Sequence, residues 1–203
     1  MEALSSHEIR RRFVEFFEKN DHLKIPGTSV VPVNDPTLLF INSGMAPLKP
    51  YFLNTKKPPS VRLTNVQPCI RTIDIDDVGD RHHLTYFDML GSWSIGDYYK
   101  KKAVELAYDL LINHLNFDKN KLYVTVYSGD KKLGLAPDKE SAAAWKSLGF
   151  ADDRIIACGE DNFWGPAGEV GPCGPCTEVF YDCGPEFGPE PVSYTHLTLP
   201  TKA

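Results

Sequence analysis

The sequence predicts an α+β fold, an antiparallel sheet flanked by helices, and three observations carry that reading. Two aromatic-rich, strand-like segments, residues 61–73 and 84–99, enclose one charged connection, as neighbouring antiparallel strands do. Three amphipathic segments have helical periodicity. The strands follow one another locally instead of alternating regularly with helices, which disfavours a doubly wound α/β sheet.

The elements follow in order. Ser5 starts the first helix, with Glu8 three residues on as its capping-box partner. Ile9, Phe13, Phe16 and Phe17 form its apolar face, with Arg10, Arg11, Arg12 and Lys19 mostly outside it. "TSVVPV" reads as a strand interrupted by Pro32, and "DPTLLFINSGM" as a turn, a buried strand and a small-residue bend. "KKKAVELAYDLLINHL" is a second helix, with Val104, Ala107, Leu111 and Leu115 nearly in line. "KLYVTVYSG" alternates as a strand, and "DKESAAAWKSLGF" is a third helix ending at Gly149. "DRIIACG" is a short strand, after which glycine and proline dominate from Asn162 to Cys176.

Composition narrows the class. The chain has 203 residues, 42% of them hydrophobic and 24% charged, as in a globular protein. A net charge of −5 gives no global basic field for nucleic acid, although a local basic strip remains compatible with it. No apolar run approaches the ~20 residues that span a bilayer, and the amino terminus lacks a signal-peptide core. Five cysteines without such a signal point to free thiols in the cytoplasm. "VSYTHLTLPTKA", residues 192–203, fits nothing before it and resembles the translation of a transposon-end sequencing adaptor. Residues 1–190 are therefore expected to be the amino-terminal part of a longer protein, and 191–203 an artefactual tail.

The most informative stretch is "QPCIRTIDIDDVGDRHHLTYFDMLGSWSIGDYY". Its connection carries Asp74, Asp76, Asp77, Asp80, Arg81, His82 and His83, far more than a hairpin needs. Arg71 lies on a strand that otherwise reads as buried, and a guanidinium forks onto phosphate oxygens. Tyr86, Phe87 and Trp93 on the returning strand offer flat rings for a purine. A nucleotide platform fits this pattern, and so does a surface Arg paired with a loop aspartate beside core aromatics.

These residues carry a family resemblance. The stretch resembles motif 2 of the class II aminoacyl-tRNA synthetases, in its alanyl form. "HEIRRRFVEFFEKNDHLKIPGTSVVPVNDPTLLFINSGM" is similar to that family's motif 1 region, and "DNFWGPAGEVGPCGPCTEVFYD" to its later active-site segment. The likeness runs in order from about residue 5 to residue 184.

The resemblance implies alanine, ATP and tRNA(Ala) as substrates, with Mg²⁺ assisting at the phosphates. Alanine would form alanyl-adenylate and then pass to the tRNA 3′ end. Arg71 takes the catalytic place at the α-phosphate, and Phe87 the place of the adenine-stacking ring. His82 and His83 fall near the ATP phosphates or the tRNA end, and Asp88 stands where the family has glutamate at an ATP contact. Met45, Trp164 and, more weakly, Asn162 match positions around the alanine pocket; without the family, Met45 and Trp164 read as core. Motif 3, the aspartate for the alanine ammonium and the zinc-holding editing domain would lie beyond residue 190, so the fragment alone is expected to be inactive and poorly soluble.

Two other classes compete. One is a non-catalytic ATP- or tRNA-binding module. The other rests on "CGPC", Cys173 to Cys176, which matches a thiol-redox motif and half a zinc site. Redox chemistry wants that motif at a helix start, whereas strand-like "TEVFYD" follows it here, and Cys69, Cys158 and Cys183 supply no second paired spacing.

Overall fold

The computed structural model describes residues 4–33, 38–72, 75–79, 83–165 and 171–184. They fall into two compact units that divide between Tyr98 and Tyr99, with residues 173–184 in the second.

The first unit opens with α1 (Ser6–Lys19), followed by β1 (Leu23–Lys24), a 3-10 turn (Ala46–Leu48) running into α2 (Lys49–Phe52), and two nine-residue strands, β2 (Arg62–Ile70) and β3 (Tyr86–Ser94). The sheet order is β1-β2-β3, with β1 parallel and β3 antiparallel to β2. The long hairpin is therefore as predicted.

Ser5 caps α1, its Oγ accepting from the Glu8 N–H at 3.2 Å, but the capping box is not reciprocal. The Glu8 carboxylate instead accepts from Arg11 and Arg12 at 2.7–2.8 Å, and those hydrogen bonds hold its pKa down at about 2. The apolar stripe also differs from expectation. Val14, Phe16 and Phe17 are buried while Ile9 is exposed, and Arg10 joins the sheet-facing side. Arg10, Val14 and Phe17 lie four and three residues apart on one face, and Asp88 of β3 gives the cation a partner, Nε to Oδ2 at 2.6 Å.

The strand expected at "TSVVPV" does not form, nor does the one in "LLFIN". Pro32 has no N–H to donate, and the Thr28 N–H goes to the Gln67 side chain at 2.9 Å. Residues 38–45 instead run as irregular chain into the 3-10 turn, and Ile41 and Ala46 pack on Cys69, Phe87 and Met89.

The second unit contains α3 (Lys100–Tyr108), β4 (Leu122–Tyr127), α4 (Lys139–Ser147), β5 (Ile155–Cys158), β6 (Phe163–Trp164), β7 (Gly174–Pro175) and β8 (Thr177–Tyr181). β4 is central, parallel to β5 and antiparallel to β8, while β6 and β7 pair separately. Across both units antiparallel pairing dominates an α+β architecture, as predicted, with two parallel pairings added.

α3 continues into π-helical turns over Asp109–His114, where the Leu115 N–H reaches back to Leu110 O at 2.9 Å. Val104, Leu106 and Leu110 are buried, and of the expected Val104, Ala107, Leu111, Leu115 line Ala107 packs, partly buried, against the Val104 core. Leu122, Val124 and Val126 of β4 pack with Val104, Trp145 and Phe150 as one core. The helix α4 stops as predicted. Gly149 adopts φ +80°, its N–H bonds Lys146 O, and the Phe150 N–H bonds Trp145 O, while the two rings meet edge-on at 5.1 Å. That is a Schellman motif with its hydrophobic contact. Among the described residues no helix is long and apolar enough to cross a membrane.

Candidate active site

In β2 every second residue from Asn65 is Asn65, Gln67 and Cys69, and the same spacing leads to Arg71 just past the strand end. Their antiparallel partners put Gly91, Met89 and Phe87 on the same face. The sheet thus presents a polar row beside an aromatic and sulfur row. Asn65 and Gln67 are fully buried and both are used. Asn65 Oδ1 accepts from Trp93 Nε1 at 2.9 Å; Gln67 Oε1 accepts the Thr28 N–H, and its Nε2 donates to Thr28 O at 3.1 Å. These buried amides went unrecognised in the sequence, although polar residues at period two on an otherwise apolar strand were their signal.

Arg71 is held at the open end of this face. Its N–H bonds Thr85 O at 2.9 Å, its Nε donates to Asn42 O at 3.0 Å, and its guanidinium carbon lies 5.2 Å from the Phe87 ring centroid. Tethering one nitrogen to a backbone carbonyl fixes the plane of the fork. The stretch around Asn42 is held in turn by glycine. A Cβ on Gly44 would come within 2.8 Å of Trp93 Cζ2 and 3.2 Å of Met89 Sδ, so residues 42–45 approach the sheet as no larger residue would allow. Met45, next in sequence, is buried.

The structure brings Arg71 and Phe87 together and separates Asp88 from them. Asp88 pairs with Pro68 in the register, so its side chain stands on the opposite face, where it holds Arg10. His83 is half-buried at the return of the connection. His82 and Arg81, with Asp74 and Asp80, lie outside the described residues.

In the second unit, Trp164 is 40% exposed on β6, and Asn162 precedes it at 1%. Asn162 Nδ2 donates to Thr125 Oγ1 at 2.8 Å and to Cys176 O at 3.1 Å, while Cys176 N–H returns to Asn162 O at 2.8 Å. Asn162 is therefore a brace that fixes where β6 begins.

Cys173 to Cys176 does not sit at a helix start; Gly174–Pro175 is a strand and β8 follows. Burial, with the Glu178 carboxylate adding to it, pushes the Cys176 thiol up to about 11. An activated thiol needs the opposite shift. Among the described residues no three His, Cys, Asp or Glu side chains cluster as a metal site, and all five cysteines are free thiols.

The comparisons agree with the motif likeness. The family model described as tRNA synthetases class II (A) matches residues 8–198. An alanine–tRNA ligase of Treponema denticola is 50% identical over 181 residues, 87% of this chain and 30% of the relative. One from Rubrobacter xylanophilus is 46% identical over 191 residues, 93% of this chain and 21% of the relative. One from Borrelia hermsii is 48% identical over 182 residues, 88% of this chain and 30% of the relative. The chain thus spans less than a third of the length of these relatives. With a model match over nearly its whole length and Arg71 and Phe87 paired on one sheet face, the chain belongs to the class II (A) tRNA synthetase family.

Proposed function

We propose that the chain is the ATP- and amino-acid-handling part of an alanine–tRNA ligase that works in the cytoplasm. The observation that carries this reading is the Arg71 guanidinium, tethered to Asn42 O and stacked over Phe87. In the reaction, an alanine carboxylate oxygen attacks the α-phosphorus of ATP, the bond to the leaving pyrophosphate breaks, and alanyl-adenylate remains. The 3′ end hydroxyl of tRNA(Ala) then attacks the adenylate carbonyl and AMP departs.

Arg71 stabilises the negative charge that gathers on the α-phosphoryl oxygens in the first step, a role that rewards a cation fixed beforehand. Phe87 stacks on adenine and orients the nucleotide. His82 and His83 contact the phosphates or the tRNA end. Met45 and Trp164 are each alanine-binding residues in this reading, and Asn162 acts by holding Trp164 in position. Asp88 acts through Arg10, which binds α1 to the back of the motif 2 hairpin. Mg²⁺, when bound, neutralises charge on the phosphates. The described residues converge no three carboxylate, His or Cys ligands, so we assign none to the ion, which commonly keeps waters and substrate phosphates as partners.

Residues 1–190 belong to the catalytic domain in this reading, and 191–203 are adaptor translation. Sequencing the source DNA through the codons for residues 185–203 and beyond tests the tail. A frame that continues past Glu190 without "VSYTHLTLPTKA" supports the reading; a gene that encodes it and stops overturns it. The activity is tested by alanine-dependent exchange of label between pyrophosphate and ATP, on the chain joined to whatever its gene encodes beyond. Exchange with alanine is expected, and none with alanine would refute the assignment. Phe87→Ala is expected to weaken ATP by about 1–3 kcal/mol, the worth of one base on one ring.

A further inference from the structure

The second unit has a cleft that the proposed reaction does not use. β4 turns Leu122, Val124 and Val126 toward the Trp145 core, so Tyr127 faces the other way and meets the Phe163 ring at 5.3 Å. Tyr127 and Phe163 line a cleft of about 290 Å³ together with Leu133, Asp130 and Glu160. Trp164 is not among its walls, since it follows Phe163 on β6 and neighbouring strand residues point to opposite sides.

Two features mark the cleft as built for something. Tyr127 is 97% buried, given its 3% exposure, yet among the described residues no group hydrogen-bonds its hydroxyl. Leaving a buried hydroxyl unpaired costs stability, and the cost is removed by a ligand that pairs it. Neither carboxylate has a cationic partner among the described residues. The Asp130 carboxylate is nevertheless fixed, because its Oδ1 accepts from the Lys132 N–H at 2.6 Å and the Leu133 N–H at 3.2 Å. Burial raises the Tyr127 hydroxyl's pKa, and the charges of Asp130 and Glu160 raise it further.

We propose that this cleft binds a small organic cation, an ammonium or guanidinium on an aliphatic stem. The stem lies between Tyr127 and Phe163, and the cationic head reaches Asp130, Glu160 and the Tyr127 hydroxyl. Aromatic and leucine walls suit a carbon stem, and two acidic residues and a phenol supply partners for its cationic head. The volume is at the small end for ligand sites, near 300 Å³.

Agmatine, titrated into the chain joined to whatever its gene encodes beyond and followed by ligand-observed NMR, is the test. Saturation with a Kd of about 1 mM or tighter is expected. Asp130→Asn and Glu160→Gln are each expected to weaken it by about tenfold, the worth of one charge-assisted hydrogen bond. Tyr127→Phe should weaken binding without lowering Tm, since the lost hydroxyl has no partner in the free protein. Four outcomes overturn the proposal: no saturation, unchanged binding in the Asp130/Glu160 double variant, equal binding of neutral 1,5-pentanediol, or a fall in Tm in Tyr127→Phe.

Discussion

The two sheets are built on opposite plans. β4 of the second unit is buried along nearly its whole length, with Trp145 at 1% exposure beside it. β2 of the first unit is equally central, but the row that leads to Arg71 carries amides, and the chain covering that face is irregular. One sheet completes a core; the other holds a cation and a ring at its end. The first unit also leaves Val33, Leu39 and Tyr86 largely exposed. The difference teaches where stability and chemistry are separated in this chain.

Substitutions can break or sharpen that contrast. Trp145→Ala is expected to cost about 4 kcal/mol, seen as a lower denaturant midpoint, because it empties the middle of the core. A cost under about 1 kcal/mol would mean that the second unit is not held by this core. Asp138→Ala comes next. Asp138 caps α4 through the Ser141 N–H at 3.1 Å and pairs with Lys100 Nζ at 2.8 Å, its side chain 2% exposed, so removal leaves a part-buried lysine with only the longer Glu140 contact at 3.7 Å. A loss of about 3 kcal/mol is expected.

The same carboxylate sets a pH dependence. Burial pushes its pKa up, but the hydrogen bonds from Lys100 and Ser141 outweigh that and hold it below the ordinary value. A depressed carboxyl stabilises the fold fully above the unfolded value, about pH 4, and the contribution vanishes as pH falls through the folded value. Thermal melts between pH 6 and pH 2 should therefore fall more steeply for the natural chain than for Asp138→Ala; parallel curves would remove Asp138 from the account.

Arg71→Ala should behave in the reverse manner to the core changes. It is expected to leave the denaturant midpoint within about 1 kcal/mol while lowering alanine-dependent exchange by about 100-fold in the gene's full-length product. A collapse of stability would make Arg71 a structural residue and undo the contrast. Gly149→Ala is the smallest effect, about 1 kcal/mol, because a Cβ is strained at φ +80° where α4 ends. No change at all would mean that the Schellman turn relaxes freely.

Legibility in the sequence followed the range of the interactions. Ser5, Gly149 and the β2–β3 hairpin were readable because caps, positive-φ turns and strand alternation depend on neighbours a few residues away. Arg71 and Phe87 were readable as a pair because a hairpin brings them together through its own register. The strands expected in residues 28–33 and 38–42 failed because their hydrogen bonds go to single scattered partners, the Thr28 N–H to the Gln67 side chain, the Ile41 N–H to Val30 O and the Ile70 N–H to Ile41 O, so no ladder forms. Asp88 needed the strand's parity and Arg10 of α1, 78 residues away, before its face was known.

The sequence by itself determined the α+β class, the helix ends, the long hairpin and the motifs that mark the family, all of which are local patterns. Only the tertiary structure decided that Arg10 turns inward, that Asn65, Gln67 and Asn162 are buried braces, and that Gly44 lies against Trp93. The physical reason is that a polar residue's role depends on which distant group satisfies it, and no short stretch of chain contains both partners.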